Sequence, residues 1–265
     1  MNLRHKVRNG TTTIGTMLQD YRSPRILPIL DELNFDFVVL DQEHSGISFS
    51  DIELFATAAR DLDISLLVRP TKISYEYIAR ALDMGADGLM IPHVDTVEQV
   101  KKIINSAKYP PIGKRSYGMR KELCGFGPFD GTADYLKKAN EHSLILIQIE
   151  SPTGLQNKDE LIKSEDIDGV IIGPADLTMN MAIPGQYSNE IFTESCESVL
   201  KTCSKNRKGF GIHFGSRKLS LEWVEKGTNI VLFSTITKMA EQSASEFILE
   251  IKKKSPHKTL EGDTY

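Results

Sequence analysis

The sequence lacks an excess of positive charge. Its 265 residues include 32 Lys and Arg against 36 Asp and Glu, which gives a formal net charge of −4. No basic field is present that would attract a nucleic-acid backbone or an anionic membrane surface. The one concentrated basic run, KKKSPHK at residues 252–258, is typical of a solvated helix end. We therefore expect neither a nucleic acid nor a membrane as partner.

Disulfide and membrane patterns are missing as well. The three cysteines, Cys124, Cys196 and Cys203, are odd in number and form no CxxC pair, which favours a reducing compartment. The first ten residues, MNLRHKVRNG, contain no apolar leader segment, and no apolar run approaches the roughly 18 residues of a membrane helix. The expected location is the cytoplasm.

Nucleotide-binding and Schiff-base patterns are also absent. GKRS at 113–116 is not part of a GxxxxGK[ST] phosphate loop, and the glycines of GFGPFDG at 125–131 do not form GxGxxG. A Schiff-base mechanism needs a desolvated lysine near a reactive centre. No predicted strand carries a lysine, and Lys72 falls just past the third strand.

Apolar, strand-like runs recur eight times, with amphipathic helical segments between them. The runs are TTIGTML, FDFVVLD, SLLVRP, GLMIP, LILIQIE, GVIIGP, FGIHF and NIVLFS. Alternating strands and helices predict a parallel sheet, and eight such repeats predict a closed barrel. The fold class is therefore α/β, as one (β/α)8 TIM-barrel domain over residues 1–265. We expect a lid-like loop over the mouth at about 110–131 and a flexible tail from about 254.

Polar side chains stand where several predicted strands end. The active site of such a barrel lies at the carboxyl ends of its strands, where the loops converge. An unpaired charge buried in a strand would cost several kcal/mol, so the shared position indicates one site. The residues are Asp41, Glu43 and His44 after strand two, Arg69 at strand three, Gln148 and Glu150 at strand five, and Asp176 after strand six.

These residue types indicate enolate chemistry. Glu150 and Asp176 bring two carboxylates to one mouth, an arrangement that is expensive unless a hard cation such as Mg²⁺ or Mn²⁺ lies between them. Arg69 supplies a permanent positive charge for an anionic ligand. His44, three residues after Asp41, is an imidazole base that an acidic partner can orient.

Six segments, in order, resemble signature stretches of one enzyme family: LDQEHS, VRP, ALDMGADGLMIPHV, YPPIGKRSYG, IQIE and GVIIGPADL. They are similar to the class II pyruvate-dependent aldolases of the HpcH/HpaI family, which act on 4-hydroxy-2-oxo-heptanedioate and 2-keto-3-deoxy-sugar acids. The resemblance covers roughly residues 15–186 and continues more weakly beyond. It implies a carbon–carbon lyase that cleaves a 4-hydroxy-2-oxo acid to pyruvate and an aldehyde, or runs the reverse addition, through a pyruvate enolate.

The resemblance also implies roles for individual residues. His44 would be the catalytic base, with Asp41 as its local acidic partner and Asp83 of a neighbouring subunit supporting its basicity. Glu150 and Asp176 would bind the divalent metal, Mg²⁺, Mn²⁺ or Co²⁺. The 2-oxo acid would contact Arg69, Gln148, Asp176 and the backbone of Ala175.

An oligomer is expected on two grounds. The resemblance implies a hexamer, a trimer of dimers, with C-terminal helices swapped between subunits. The sequence itself offers an apolar stripe in SASEFILEIKKK, residues 243–254, that is available for packing on a partner.

Some positions depart from the family pattern, and two other readings stay open. His93 stands where Met or Gln is common, Ser116 where Gly is common, and no Gly precedes PGQ at 184–186. The roles of His93, Lys114 and Arg115 stay open, while His213 is expected to be structural. The alternatives are a lyase of the same superfamily acting on a citryl- or malyl-type thioester, and a non-catalytic barrel subunit.

Overall fold

The computed structural model describes residues 2–118 and 120–255, and its eight parallel strands close into a barrel in sequence order. The predicted (β/α)8 fold is therefore confirmed. The strands are β1 Thr13–Leu18, β2 Phe37–Asp41, β3 Ser65–Arg69, β4 Gly88–Ile91, β5 Leu144–Ile149, β6 Gly169–Ile172, β7 Gly209–Phe214 and β8 Ile230–Thr235.

Helices connect the strands and surround the barrel. In the described ranges they are α1 Leu3–Arg8, α2 Ile26–Glu32, α3 Phe49–Ala59, α4 Tyr75–Asp83, α5 Val97–Ala107, α6 Gly131–His142, α7 Pro152–Ile162, α8 Pro174–Asn180, α9 Glu190–Lys205, α10 Arg217–Glu225 and α11 Ile236–Lys254. None of these described helices is both long and apolar enough to cross a membrane.

Two apolar layers follow from the alternation of side chains along each strand. Val38 and Leu40 of β2 pack outward into the core beneath the helices, whereas Phe37 and Val39 point into the barrel. Successive strand residues face opposite sides, so the inward set continues at every second position. Beyond the last inward apolar residues, this set reaches polar groups at the mouth: Gln19, Asp41, Arg69, Gln148, His213 and Ser234.

The opposite end of the barrel is held by a repeated contact. The residue just before each even-numbered strand accepts a hydrogen bond from a backbone N–H of the preceding strand. Helix α1 crosses this end, and its Arg4 and Arg8 bind Asp168 while Lys6 binds Asp36. The acceptors are Asp36, Asp87, Asp168 and Asn229, which bind the N–H groups of Ile14, Leu66, Ile145 and Phe210 at 2.7–2.9 Å.

The described parts of the segment at 110–131, residues 110–118 and 120–131, lie away from the mouth of their own barrel. Helix α5 follows β4 and returns the chain to the amino-terminal side of the sheet before the segment begins. Arg60, just ahead of β3, donates to the carbonyl of Cys124 at 2.9 Å, and Arg115 binds Asp83 at the far end of α4 at 2.6 Å. Within one chain these contacts hold the segment on the amino-terminal side, and its expected role as a lid stays a prediction.

The C-terminal helix α11 leaves much of its surface uncovered. Phe247, Ile248, Leu249 and Ile251 are each at least half exposed. Such an apolar stripe is what helix swapping would require, and swapping stays a prediction. The helix extends to Lys254, and the tail expected to be flexible lies almost wholly at 256–265, outside the described residues.

Candidate active site at the barrel mouth

Asp41 and Arg69 form a buried ion pair at the ends of β2 and β3. The two residues are register partners in adjacent strands. Arg69 Nε and Nη2 donate to the two carboxylate oxygens of Asp41 at 2.8 and 2.7 Å. Burial alone would raise the pKa of Asp41, but the bonds and charge of Arg69, with a further bond from Gln19, lower it below the usual value. Asp41 is therefore anionic at neutral pH and fixes the guanidinium plane.

This pairing changes the role expected for Asp41. Its carboxylate reaches His44 only through the backbone N–H, at 3.4 Å, while its strong bonds go to Arg69 and Gln19. The physical reason is the strand alternation, which points Asp41 into the barrel beside Arg69, whereas His44 lies in the loop beyond. In this chain Asp41 holds the arginine, and the expectation that it orients the imidazole of His44 is not met.

Glu43 is the carboxylate that lies among the basic side chains of the mouth. Its Oε2 is 3.1 Å from Arg69 Nη1 and 3.8 Å from His44 Nε2, and its Oε1 is 2.9 Å from His93 Nε2. The Glu43 side chain is only 9% exposed, whereas the His44 side chain is 58% exposed and open to a substrate. Sequence reasoning placed Glu43 at the strand end but assigned it no role.

Glu150 is held from three sides at the end of β5. Gln148 Nε2 donates to its Oε1 at 2.8 Å, and the His93 backbone N–H and ring Nδ1 lie 3.1 and 3.0 Å from its Oε2. Burial raises the pKa of Glu150 to about 7, opposed by His93 and increased by the charges of Glu43 and Asp176. A carboxylate in such surroundings is ionised most readily when a cation binds to it.

The close approach of β6 to Glu150 requires a glycine. A Cβ atom on Gly173 would lie 2.1 Å from Glu150 Oε1, well inside contact distance. Gly173 also precedes α8, whose first turn carries Ala175 and Asp176. The predicted metal carboxylates therefore lie on neighbouring strand ends, and the exposed Ala175 backbone stands beside them.

The residues present fit a hard divalent cation. Glu150 and Asp176 supply two carboxylates, and the buried Oε1 of Gln148 has no hydrogen-bond partner in the described chain. Within residues 2–118 and 120–255, no three His, Cys, Asp or Glu side chains converge as a complete metal cluster. Protein donors of this kind suit Mg²⁺ or Mn²⁺, which commonly keep waters and bind substrate oxygens.

His93 is the residue that sequence reasoning left open and the structure brings into the site. Its ring bridges Glu43 and Glu150, and its φ of 54° lies in the left-handed region. A non-glycine residue there costs of the order of 1–3 kcal/mol and persists where the surroundings fix it, often at functional sites. The available signal in the sequence was its position two residues past the end of β4.

Asp83, a predicted site residue, and Lys114 and Arg115, whose roles the sequence left open, lie outside this cluster. Asp83 ends α4 on the amino-terminal side of the barrel and binds Arg115, so its contact with His44 of a neighbouring subunit stays a prediction. Arg115 is buried by this pair and stacks on Tyr109 at 4.6 Å, while Lys114 is exposed. Neither reaches the mouth of its own chain.

The chain is similar in sequence to known aldolases. The HpcH/HpaI aldolase/citrate lyase family model matches residues 20–239. A 2-keto-3-deoxy-L-rhamnonate aldolase of Salmonella paratyphi B is 31% identical over 229 residues, 85% of this chain and 83% of the relative. A hydroxypyruvate/pyruvate aldolase of Deinococcus radiodurans is 30% identical over 254 residues, 95% and 90% of the two chains.

A solved structure extends the likeness to three dimensions. The crystal structure of an HpcH/HpaI aldolase from Desulfitobacterium hafniense DCB-2 superposes with a TM-score of 0.89 at 29% identity, covering 95% of this chain and 97% of the other. The family model and the aldolase relatives together identify the chain as a carbon–carbon lyase. The chain belongs to the HpcH/HpaI aldolase/citrate lyase family.

Proposed function

We propose that this protein is a divalent-metal-dependent aldolase that cleaves a 4-hydroxy-2-oxo acid, of the keto-deoxy-sugar-acid class, to pyruvate and an aldehyde, or runs the reverse addition. The observation that carries the proposal is the meeting of Glu150, Asp176 and Arg69 at one barrel mouth. The names of the two aldolase relatives support the same reaction and substrate class.

Glu150 and Asp176 are the residues that would hold Mg²⁺, Mn²⁺ or Co²⁺. When bound, such an ion supplies Lewis acidity that polarises the 2-oxo group. Gln148 anchors Glu150 through its amide nitrogen, and its buried Oε1, which has no partner among the described residues, would contact the bound 2-oxo acid. The Ala175 backbone and Arg69 complete the contacts to the carboxylate and oxo group of the substrate.

Arg69 stabilises the negative charge that develops on the enolate oxygen. Asp41 and Glu43 hold the guanidinium in place before the reaction, so little reorganisation is needed when the charge appears. His44 takes the proton of the C4 hydroxyl, through a water molecule. The C3–C4 bond then breaks, its electron pair forms the enolate, and the aldehyde leaves. Return of a proton to C3 completes pyruvate.

Exchange of the pyruvate methyl protons tests the proposal directly. Incubation in D₂O with Mg²⁺ or Mn²⁺ should exchange these protons, observed by NMR, and EDTA should stop the exchange. A noncatalytic barrel would show none. Absence of exchange with every divalent ion tried would overturn the proposed function.

A further inference from the structure

The loop that carries His44 is shaped by bonds among its own residues. It lies between the end of β2 and the start of α3. The Ser45 hydroxyl donates to the carbonyl that ends β2, and Gln42 Nε2 donates to the carbonyl of Ile47 at 3.2 Å. Because these bonds join residues of one short stretch, they do not fix the tip of the loop against the rest of the barrel.

Arg22 reaches the tip of this loop from another part of the chain. It lies in the connection between β1 and α2, and its Nη2 donates to the carbonyl of Gly46 at 2.8 Å. Its charge also acts on Asp51 in the first turn of α3. Burial opposes the shift, but bonds from Ser48 and the charge of Arg22 lower the pKa of Asp51. The guanidinium therefore joins the loop tip to a neighbouring connection and lies near the start of α3.

Gly46 makes room for this contact. A Cβ atom on Gly46 would lie 2.2 Å from Arg22 Nη2, and the only described atoms within 4 Å of it, beyond the adjacent residues, belong to Arg22. The φ of Gly46 lies outside the left-handed region, so the backbone conformation does not require a glycine. What the glycine provides is space for the guanidinium.

The connection between β1 and α2 contacts the mouth at a second point. Gln19, just past β1, donates through Nε2 to Asp41 Oδ2 at 2.8 Å, and Arg69 Nη2 donates to the same oxygen. Gln19 thus binds this connection to the buried ion pair, and Arg22 binds it to the loop beyond. One connection therefore links the guanidinium of Arg69 with the loop that carries His44.

We propose that Arg22 is a positioning residue that holds the loop tip so that His44 stays within reach of the proton it transfers. The His44 side chain is 58% exposed, so the place of its ring depends on the loop backbone. A displacement of about 1 Å at a reacting group can cost on the order of 10²-fold in rate. The inference rests on the proposed function, in which His44 is the base, and gives Arg22 a role that needs no contact with the substrate.

Arg22→Met removes the bond to Gly46 and the charge, and should lower kcat for pyruvate proton exchange by about tenfold. The KM for pyruvate and the Kd for Mn²⁺ should stay unchanged, because Glu150 and Asp176 lie at other strand ends. Arg25→Met is the control, since Arg25 is an exposed arginine of the same connection whose side chain makes no cap bond to α2.

Gly46→Ala tests the same contact from the other side. The added methyl group would displace the flexible end of Arg22, so this variant should lose about as much kcat as Arg22→Met. The double variant should lose no more than either single variant, because both changes remove one contact. Losses that multiply in the double variant would show two independent effects and overturn the proposal.

Hydrogen exchange followed by mass spectrometry reports on the loop without any reaction. In the metal-free protein, Arg22→Met and Gly46→Ala should each raise the exchange rate of the amides at 43–47 by about tenfold, as expected for loss of a hydrogen bond from a charged group. Arg25→Met should leave this rate unchanged. Faster exchange at 43–47 together with the lower kcat supports the proposal, and a wild-type value of either one overturns it.

Failure of the proposed function would look different. A wild-type protein that exchanges no pyruvate protons with any divalent ion would overturn the aldolase assignment. The hydrogen-exchange comparison would still decide whether Arg22 holds the loop.

Discussion

At the scale of single residues, Glu43 connects the basic groups of the mouth. It contacts Arg69 and His93 within 3.1 Å and lies 3.8 Å from His44. Residues that orient such groups commonly change activity by 10–100-fold when they are replaced, as seen for the outer contacts of metal sites. The carboxylate nearest to the His44 ring is therefore that of Glu43, and not that of Asp41 as the sequence spacing had suggested.

Replacing Glu43 by Gln should lower kcat for pyruvate proton exchange by about 10–100-fold, because the neutral amide no longer pairs with Arg69 and both imidazoles. The KM for pyruvate should change less. Glu53→Gln is the matched control, since Glu53 pairs with Arg120 on the surface. Wild-type kcat in Glu43→Gln would show that the three contacts are incidental.

Metal binding should depend on pH through Glu150. The pKa of Glu150 is raised from 4.5 to about 7 in the folded, metal-free chain. Between pH 4.5 and 7 the folded chain therefore keeps the Glu150 proton, whereas the unfolded chain has lost it. A cation must displace the proton. The apparent Kd for Mn²⁺ should therefore fall by about tenfold per pH unit on approaching pH 7 and level off above it.

Titration of Mn²⁺ by electron paramagnetic resonance between pH 5.5 and 8.5 measures this dependence. The same linkage predicts that Glu150 makes the metal-free protein less stable as pH rises from 4.5 to about 7. A Kd that does not change between pH 5.5 and 7 would contradict the assignment of Glu150 as a metal carboxylate.

At the scale of elements, α1 is anchored to the barrel by Asp168. This carboxylate is fully buried and accepts from Arg4, Arg8 and the N–H of Ile145. Asn229 occupies the equivalent position before β8 and keeps the strand contact with a neutral side chain. An asparagine at 168 should therefore retain the strand bond and lose only the anchoring of the two arginines.

Asp168→Asn should lower the free energy of unfolding by about 2 kcal/mol, which is typical for the loss of hydrogen bonds between charged groups. It should leave kcat unchanged, because the barrel mouth lies at the other end of the strands. Urea denaturation measures the change. Asp134→Asn, which removes a surface pair with Lys138, should cost less than about 1 kcal/mol. If the free energy of unfolding fell equally in the two variants, the contacts of Asp168 with α1 would stabilise the fold no more than a surface ion pair does.

The elements also show what a sequence can predict. Eight apolar runs with helices between them determine a closed barrel, because each buried strand needs a neighbour and a covering helix. Every second residue of a strand points into the barrel. Ser234 follows the inward Leu232 by two positions and Asp41 follows the inward Val39 by two, so the strand pattern also predicts which polar side chains point inward. Loops carry no such alternation. The positions of the 110–131 segment and of His93 depended on tertiary contacts.

At the scale of the whole molecule, two features point to an assembly of more than one chain. The apolar stripe of α11 is uncovered, and Asp83 lies far from the mouth of its own barrel. We propose a homo-oligomer, a hexamer built as a trimer of dimers, in which α11 packs on a partner and Asp83 approaches a neighbouring His44. The reaction would then depend on assembly.

Light scattering coupled to size exclusion should give about six times the chain mass of 29.7 kDa at micromolar concentration. Phe247→Glu on α11 should shift the mass downward, because a charge would be buried in the contact, and should lower activity in parallel. A fully active monomer would make the contribution of Asp83 from a neighbour untenable.

We propose that the barrel mouth divides its work between a base, His44, and a cation site, Glu150 with Asp176. Measuring Mn²⁺ binding and pyruvate proton exchange side by side in His44→Ala and Glu150→Ala tests it most directly. His44→Ala should lose about 10²–10⁴-fold in exchange and keep Mn²⁺ affinity, whereas Glu150→Ala should lose both. Near-wild-type exchange in His44→Ala, or loss of Mn²⁺ as complete as in Glu150→Ala, would contradict the account.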